Sequence, residues 1–265
     1  MEIIIHADAT QVATRAADFI TAQLGHKPDS VLGLATGSTP VATYADLVRR
    51  HQAGSLSFAQ VTTFNLDEYV GLPPDHPQSY RSFMNKNLFD QVDIDLSRTH
   101  VPDGNAENPV EVGPAYEATI DAAGGIDLQV LGIGTNGHIA FNEPTSSLGS
   151  RTRIKTLTEQ TFKDNSRSFE AGEFQPRLAI TMGIQTILEA RRILLLATGA
   201  AKAQAVVDMV EGAITASCPA SALQMHEKTT VIIDEAAASK LTLRPYYTWV
   251  LDQQDQIRDT YGNPW

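Results

Sequence analysis

The stretch VLGLATGSTP, residues 31–40, decides the fold class of this chain. Residues 31–35 are apolar without interruption, which is typical of a parallel strand that helices cover on both faces. A glycine turn follows, and Thr39 and Pro40 suit the N-cap and the first position of a helix that extends to about Arg50. A buried strand that leads through a tight turn into a helix is the repeating unit of α/β folds.

The same alternation extends from this unit in both directions. We predict further strands at residues 3–5, 61–66, 126–133, 193–197 and 231–234. We predict further helices at residues 12–24, 79–89 and 109–123, and one that follows the turn at residues 198–199 and extends to residue 210. This order of elements indicates an α/β fold with a mostly parallel central sheet flanked by helices. Residues 145–180 are the least regular part of the chain, and we expect a mobile lid or an insertion there.

The composition excludes several classes of protein. The chain has 265 residues, of which 42% are apolar and 19% charged, and its formal net charge is −11. This apolar content is too high for disorder, and the acidity disfavours nucleic-acid binding, although local cations can still hold a small anion. The single cysteine, Cys218, allows neither an intrachain disulfide nor a structural zinc site. We expect a cytoplasmic protein, because no signal peptide or membrane-spanning run is present.

Two glycine turns follow predicted strands and are candidates for binding a phosphate. At residues 37–39, Gly37 lets the backbone approach a ligand, Ser38 and Thr39 offer hydroxyl groups, and the following helix directs its free N–H groups at the turn. No Gly-Lys-Ser/Thr follows, so this is not a nucleotide P-loop. The motif LATG recurs at residues 196–199, and we place Lys202 one turn into the next helix, where a bound anion would offset its charge. A capped helix start and a solvated surface lysine are the simpler alternatives.

A third glycine loop, residues 132–137, matches the dinucleotide fingerprint Gly-x-Gly-x-x-Gly. That fingerprint requires a helix to open immediately, whereas Pro144 would stop a helix here within about two turns. We therefore predict a loop that displays polar side chains rather than a nicotinamide or flavin site.

Carboxylates and a histidine follow two of the predicted strands. Asp67 and Glu68 come after one strand, where burial and like charge can raise the pKa of one carboxyl group for acid–base work. The alternative is that a carboxylate here only caps the next element. His138 and Glu143 follow another strand and could form a proton-transferring pair, and their spacing matches no zinc motif. Because the carboxyl ends of parallel strands meet at one edge of a sheet, these groups and the glycine turns predict proton transfer on a small phosphorylated molecule.

At these residues the chain resembles the glucosamine-6-phosphate deaminase (isomerising) family. The resemblance runs from about residue 20 to residue 242 and is carried by four segments, residues 33–40, 61–72, 134–144 and 150–156. It implies a single modified Rossmann-like domain over residues 1–265. It also implies conversion of glucosamine 6-phosphate and water into fructose 6-phosphate and ammonia, in amino-sugar catabolism, with no metal or organic cofactor.

The resemblance also implies a role for each matching residue. Asp67 would move the proton between C2 and C1, and His138, oriented by Glu143, would open the sugar ring. Family members carry Asp or Asn at the position of Asn136; the Asn of this chain can only hydrogen-bond, which implies a less basic His138 and a supporting role for Asn136. The remaining roles are those of the phosphate ligands, namely Gly37, Ser38, Thr39, Arg167 and Lys202.

Some members of that family are hexamers that N-acetylglucosamine 6-phosphate activates at subunit interfaces. The residues that resemble this effector site are Ser146, Arg153, Lys155 and Thr156. Pro245 stands where the activated members have a tyrosine, although Tyr246 or Tyr247 could substitute for it, so allostery is a hypothesis here. A homo-oligomer is a further hypothesis that the resemblance implies.

We weigh three alternatives. A galactosamine-6-phosphate deaminase, which differs at one hydroxyl group of the substrate, stays open. Residues 67–69 and 136–144 argue against a 6-phosphogluconolactonase of the same superfold, and the presence of Asp67, His138 and Glu143 argues against a non-catalytic sensor of sugar phosphates.

Overall fold

The computed structural model describes residues 1–159, 162, 169–170 and 172–261. The strands in chain order are β1 (Glu2–His6), β2 (Val31–Leu34), β3 (Thr62–Asn65), β4 (Asp67–Tyr69), β5 (Thr99–His100), β6 (Leu128–Leu131), β7 (Arg153–Thr156), β8 (Leu178–Thr181), β9 (Ile193–Ala197) and β10 (Thr229–Asp234). The α-helices are α1 (Ala9–His26), α2 (Val41–Gln52), α3 (Tyr80–Asn87), α4 (Pro109–Ala122), α5 (Ile184–Leu188), α6 (Ala203–Val210) and α7 (Arg244–Tyr261). Short 3₁₀ turns lie at Phe89–Gln91, Leu96–Arg98, Ala200–Lys202 and Pro219–Met225.

Seven strands form one sheet in the order β1-β10-β9-β6-β2-β3-β5, and every neighbouring pair in it is parallel. The chain runs from β2 to β3 on one side and from β6 through β9 to β10 on the other. The strand order therefore reverses between β2 and β6, and this reversal is where open α/β sheets bind their ligands. The predicted α/β fold with a parallel central sheet is confirmed.

The sheet separates two apolar cores, because alternate residues of each strand face opposite sides. In β9, Leu194 and Leu196 pack with α1 and α2, whereas Leu195 packs with α4 and α6. All three leucines are at most 1% exposed. Helices therefore cover both faces of this strand, which accounts for its continuous apolar sequence.

A second sheet, with the antiparallel order β4-β8-β7, was missed by the sequence prediction. Residues 67–69, which were predicted only to lie beyond the end of a strand, form the strand β4 of this sheet, because Asp67 pairs with Thr181 of β8. Residues 145–180, expected to form a lid or an insertion, contribute β7 and the first part of β8. The C-terminal helix α7 was not predicted either.

The predicted helix after residue 40 is also shifted by one position. Pro40, rather than Thr39, occupies the N-cap of α2, since its carbonyl oxygen accepts the first helical hydrogen bond from Tyr44 N at 2.9 Å. Lys202 lies in a 3₁₀ turn and at the N-cap of α6, not one turn inside a helix. Among the described residues, we find no helix with the length and apolar character needed to span a membrane.

Candidate active site

Four neighbouring strands of the central sheet end at one edge, and a predicted site residue follows each of them. In spatial order these strands are β9, β6, β2 and β3. Lys202 follows β9, His138 follows β6, residues 37–39 follow β2, and Asp67 follows β3. The predicted groups therefore converge on the edge that contains the reversal between β2 and β6.

Asp67 is buried, with 6% of its surface exposed. Burial raises the pKa of its carboxyl group well above the usual value, and the neighbouring Glu68 charge adds to this effect. A carboxylate whose pKa is shifted toward neutrality is a stronger base than an ordinary aspartate and can remove a proton from carbon.

Glu68 has the structural role that the sequence left as an alternative. Its Oε1 accepts hydrogen bonds from the backbone N–H groups of Tyr69 at 2.8 Å and Tyr80 at 3.0 Å, and its Oε2 accepts one from Arg81 N at 2.9 Å. Tyr80 and Arg81 are the first residues of α3, so Glu68 satisfies N–H groups that the helix itself cannot. Burial raises the pKa of Glu68, while the three N–H donors oppose this shift.

His138 is held by a relay of hydrogen bonds. Its Nδ1 lies 2.7 Å from Asn136 Oδ1, and Asn136 Nδ2 donates to Glu143 Oε2 at 2.8 Å. The direct separation between His138 Nδ1 and Glu143 Oε2 is longer, 3.4 Å. Because an amide oxygen only accepts, the proton of a neutral imidazole lies on Nδ1, and Nε2 is left to exchange protons.

The absence of a side chain at Gly134 leaves the space that the His138 ring occupies. A Cβ atom at residue 134 would lie 2.2–2.5 Å from three atoms of this ring. Gly134 N also donates to the His138 carbonyl oxygen at 2.9 Å. The middle glycine of this dinucleotide-like pattern, Gly134, is therefore explained by the close approach of an imidazole to the backbone. As predicted, the loop presents polar side chains and opens no helix.

The second sheet joins the Asp67 strand to the His138 loop. Thr181 pairs with Asp67 across β4 and β8, and its Oγ1 accepts a hydrogen bond from Phe141 N at 3.1 Å. The next residue, Met182, accepts one at its carbonyl oxygen from Asn142 Nδ2 at 2.8 Å. These contacts fix Asp67 and the His138 loop to one antiparallel pair of strands, and sequence reasoning missed both Thr181 and Asn142.

In the turn at residues 37–39, Gly37 and Ser38 are exposed and Thr39 is half-buried. Gly37 has a φ of +91°, which glycine adopts without strain, and beyond its two chain neighbours no atom of the described residues lies within 4 Å of the position of a Cβ there. Within the described chain, no side chain caps α2, whose first N–H groups lie behind this turn. The hydroxyl groups of Ser38 and Thr39 and these amides form the donor set that a phosphate requires.

The turn after β9 differs in structure from the turn after β2, although both carry the sequence LATG. Gly199 has a φ of +86°, but both carboxylate oxygens of Asp234 accept its N–H at 3.0 Å. This amide is therefore occupied, and the turn can offer a ligand Lys202 instead. Lys202 is half-buried, and burial lowers the pKa of its ammonium group, which favours a position beside an anion.

The remaining predicted site residues are Arg167 and the four effector residues. Arg167 lies outside the described residues. Of the predicted effector residues, Arg153 and Lys155 share one face of β7 and Thr156 lies on the other. Ser146 is buried, and its hydroxyl group has no hydrogen-bond partner among the described residues. No group of three or more metal-binding side chains occurs in the described ranges.

Most of the chain is similar to proteins that are already known. Residues 6–232 match the family model of glucosamine-6-phosphate isomerases and 6-phosphogluconolactonases. The glucosamine-6-phosphate deaminase of Shewanella woodyi is 59% identical over 97% of this chain and 97% of its own. That of Hahella chejuensis is also 59% identical, over 98% of this chain and 100% of its own.

Solved structures show the same relationship. A monomeric glucosamine-6-phosphate deaminase superposes with a TM-score of 0.87 at 47% identity, over 90% of this chain and 99% of its own. The 6-phosphogluconolactonase of Trypanosoma cruzi superposes with a TM-score of 0.72 at 21% identity, over 91% of this chain and 97% of its own. The second likeness shows a shared fold alone.

Proposed function

The chain belongs to the family of glucosamine-6-phosphate isomerases and 6-phosphogluconolactonases, and we propose that it is a glucosamine-6-phosphate deaminase. The reaction converts glucosamine 6-phosphate and water into fructose 6-phosphate and ammonia. The observation that carries the proposal is the placement of a buried carboxylate, Asp67, and a histidine held through Nδ1, His138, at one sheet edge. The identity of 59% to curated deaminases supports it.

Ring opening is the step that suits His138. Nε2 of the neutral imidazole accepts the proton of the anomeric hydroxyl group and returns it to the ring oxygen as the C1–O5 bond breaks. The imidazolium that forms in between is stabilised by Asn136 Oδ1, 2.7 Å from Nδ1, and by the nearby Glu143 carboxylate. One residue thus serves as base and then as acid.

Asp67 suits the carbon chemistry. Its carboxylate removes the C2 proton of the open sugar, and the electrons form a C1–C2 double bond as the aldehyde oxygen takes up a proton from solvent. Asp67 returns its proton to C1, which makes C2 a cationic iminium carbon. Water adds there, one proton returns to solvent, and ammonia leaves as the C2 carbonyl group of fructose 6-phosphate forms. No electron acceptor is required, so the residues can complete the reaction by proton transfer and orientation.

The phosphate group would be held by the Gly37–Thr39 turn and by Lys202, with Arg167 as a further cation. The first N–H groups of α2 and the hydroxyl groups of Ser38 and Thr39 supply neutral donors, and Lys202 supplies charge. This arrangement explains how a chain with a net charge of −11 would bind an anionic substrate.

The proposal extends to assembly and regulation. We place the enzyme in the cytoplasm, as a homo-oligomer with an effector site at Ser146, Arg153, Lys155 and Thr156. The solved deaminase relative is monomeric, so assembly needs its own test. Rate should depend sigmoidally on substrate and become hyperbolic with N-acetylglucosamine 6-phosphate; a hyperbolic dependence that the effector leaves unchanged contradicts regulation. Light scattering would measure the assembly.

Ammonia release tests the main assignment. The purified chain is supplied with glucosamine 6-phosphate, with galactosamine 6-phosphate and, separately, with 6-phosphogluconolactone, whose hydrolysis is followed by acid production. We expect ammonia and fructose 6-phosphate from the first substrate. Ammonia only from the galacto epimer would change the substrate, and lactone hydrolysis without ammonia would replace deamination. With no turnover of any of them, the assignment fails.

A further inference from the structure

We infer that Glu68 is a positioning residue for the proposed deamination: its buried carboxylate anchors the strand that bears Asp67 to the N-terminus of α3 and places a negative charge beside the base. This inference rests on the proposed function. Glu68 belongs to no motif of phosphate, ring-opening or effector residues. It is 3% exposed, less than Asp67 itself.

The anchoring function follows from the hydrogen bonds. Both carboxylate oxygens of Glu68 accept backbone N–H groups, and two of the three donors are the first amides of α3. Ser79 Oγ accepts the third helical amide, that of Ser82, at 3.0 Å. Glu68 and Ser79 together therefore satisfy the N-terminus of this helix, and of these two residues it is Glu68 that connects the helix to β4.

The anchored helix reaches the histidine loop as well. The Tyr80 hydroxyl group donates to that of Tyr69 at 3.1 Å, and the Tyr80 ring stacks on Phe141 at 6.0 Å between centroids. Phe141 lies between His138 and Glu143 in the loop that follows β6. One carboxylate thus fixes the element that contacts both halves of the proposed active site.

There is little room for Glu68 to be rearranged. A Cβ on Gly104 would lie 3.3 Å from Glu68 Cγ and 2.0 Å from the Tyr69 carbonyl oxygen, so the chain packs tightly against this side chain. Glu68 follows Asp67 directly in β4, so the two side chains leave opposite faces of the strand and their charges interact across it. The Glu68 carboxylate is the second cause, after burial, of the raised pKa of Asp67.

The tyrosines and the arginine around Asp67 and Glu68 do not change charge in the acidic pH range where Glu68 would act on the pKa of Asp67. Asp67 interacts with Tyr69 on β4, Tyr80 on α3 and Tyr116 on α4, and burial raises the pKa of all three tyrosines, that of Tyr69 to about 12. Strand β8, which pairs with β4, has no titratable side chain in Leu178–Thr181. Arg81, which faces Glu68, also interacts with His100 on β5.

The decisive measurement compares the pH dependence of kcat/KM in wild type, Glu68→Gln and Ser79→Ala. Glu68→Gln removes the charge, so its acidic limb should move to lower pH by about one unit. Ser79→Ala weakens the same helix N-terminus without changing a charge, so its limb should coincide with that of wild type. His138 and His100 are present in all three proteins. An acidic limb of Glu68→Gln that coincides with that of wild type, in a folded and active protein, overturns the inference.

Two further results keep the test independent of folding and of the proposed function. If Glu68→Gln does not fold, carbon NMR of wild type labelled at its carboxyl groups replaces it, with the Asp67 signal identified from its loss in Asp67→Asn. That signal should show a second inflection where Glu68 titrates, and a single inflection overturns the inference. A wild type that releases no ammonia refutes the proposed function instead, whereas an active wild type with an unmoved limb refutes only the role of Glu68.

Discussion

The imidazole Nδ1 of His138 lies 2.7 Å from the side-chain oxygen of Asn136, whereas the nearest oxygen of Glu143 lies 3.4 Å away. The amide is therefore the direct partner of the histidine, and the carboxylate acts on it mainly through Asn136 Nδ2. A carboxylate at residue 136 would add a charge, whereas the amide fixes the ring and its tautomer with less polarisation.

The first prediction concerns this relay. In Asn136→Ala, the proton of the neutral imidazole should no longer prefer Nδ1, because its acceptor is gone. Nitrogen-15 NMR of the His138 ring reports the tautomer. The rate of the ring-opening step should fall about 10²-fold. Glu143→Gln keeps an oxygen acceptor for Asn136 Nδ2 and should retain the tautomer. An unchanged tautomer in Asn136→Ala would show that another group holds the ring.

The second prediction uses two glycines of one loop. Gly134→Ala puts a Cβ within 2.5 Å of His138 Nδ1, Cε1 and Nε2, so the ring must move and activity should fall at least about 10²-fold with the fold retained. At Gly132, beyond its two chain neighbours, no atom of the described residues lies within 4 Å of the added Cβ, so Gly132→Ala is the matched control. Equal activity in the two variants, with circular dichroism like that of wild type, would contradict the placement of His138.

The third prediction concerns the charge of Asp67. Burial raises its pKa in the folded state above that of the unfolded chain, so the folded protein binds more protons between the two values. This carboxyl group therefore contributes most to stability below its unfolded pKa, and the contribution is lost as pH rises through its folded pKa. At pH 8, Asp67→Asn should be more stable than wild type, by about 2–4 °C in Tm for each kcal/mol regained.

The same variant separates binding from catalysis. Asp67→Asn keeps the shape of the side chain, so substrate affinity in calorimetry should be largely retained. Exchange of the C2 proton with deuterated solvent should disappear, because no base is left to remove it. Persistent exchange in Asp67→Asn would assign the base role to another residue.

The sequence was informative wherever one local pattern determined a local structure. Continuous apolar runs identified β2 and β9, because burial on both faces leaves no polar position. The four loops at the carboxyl edge followed from the strand–helix alternation, since parallel strands place such loops together. The resemblance to one family supplied the roles, and the geometry then showed which groups touch.

Long-range pairing accounts for what the sequence did not predict. β4 has three residues, and nothing local distinguishes residues 67–69 from a loop until β8 pairs with them. Glu68 likewise becomes a helix cap only when α3 packs beside β4, twelve residues further along the chain. The occupied amide of Gly199 depends on Asp234, 35 residues away, so the two LATG turns could not be distinguished in advance.

The last prediction concerns the phosphate and Lys202. Lys202→Ala should raise KM by about 10- to 100-fold and change kcat little, because a cation that contacts the phosphate equally in the ground and transition states contributes uniform binding. Burial lowers the pKa of Lys202, so this ammonium group loses its charge at a lower pH than an exposed lysine does. In wild type, KM should therefore rise on the alkaline side, and in Lys202→Ala this rise should be absent.

Lys240 provides the control for this prediction. It is exposed and its Nζ donates to Gln204 Oε1, so Lys240→Ala tests the loss of a lysine charge elsewhere on the surface. Identical KM profiles for Lys202→Ala and Lys240→Ala would place the phosphate away from the β9 turn.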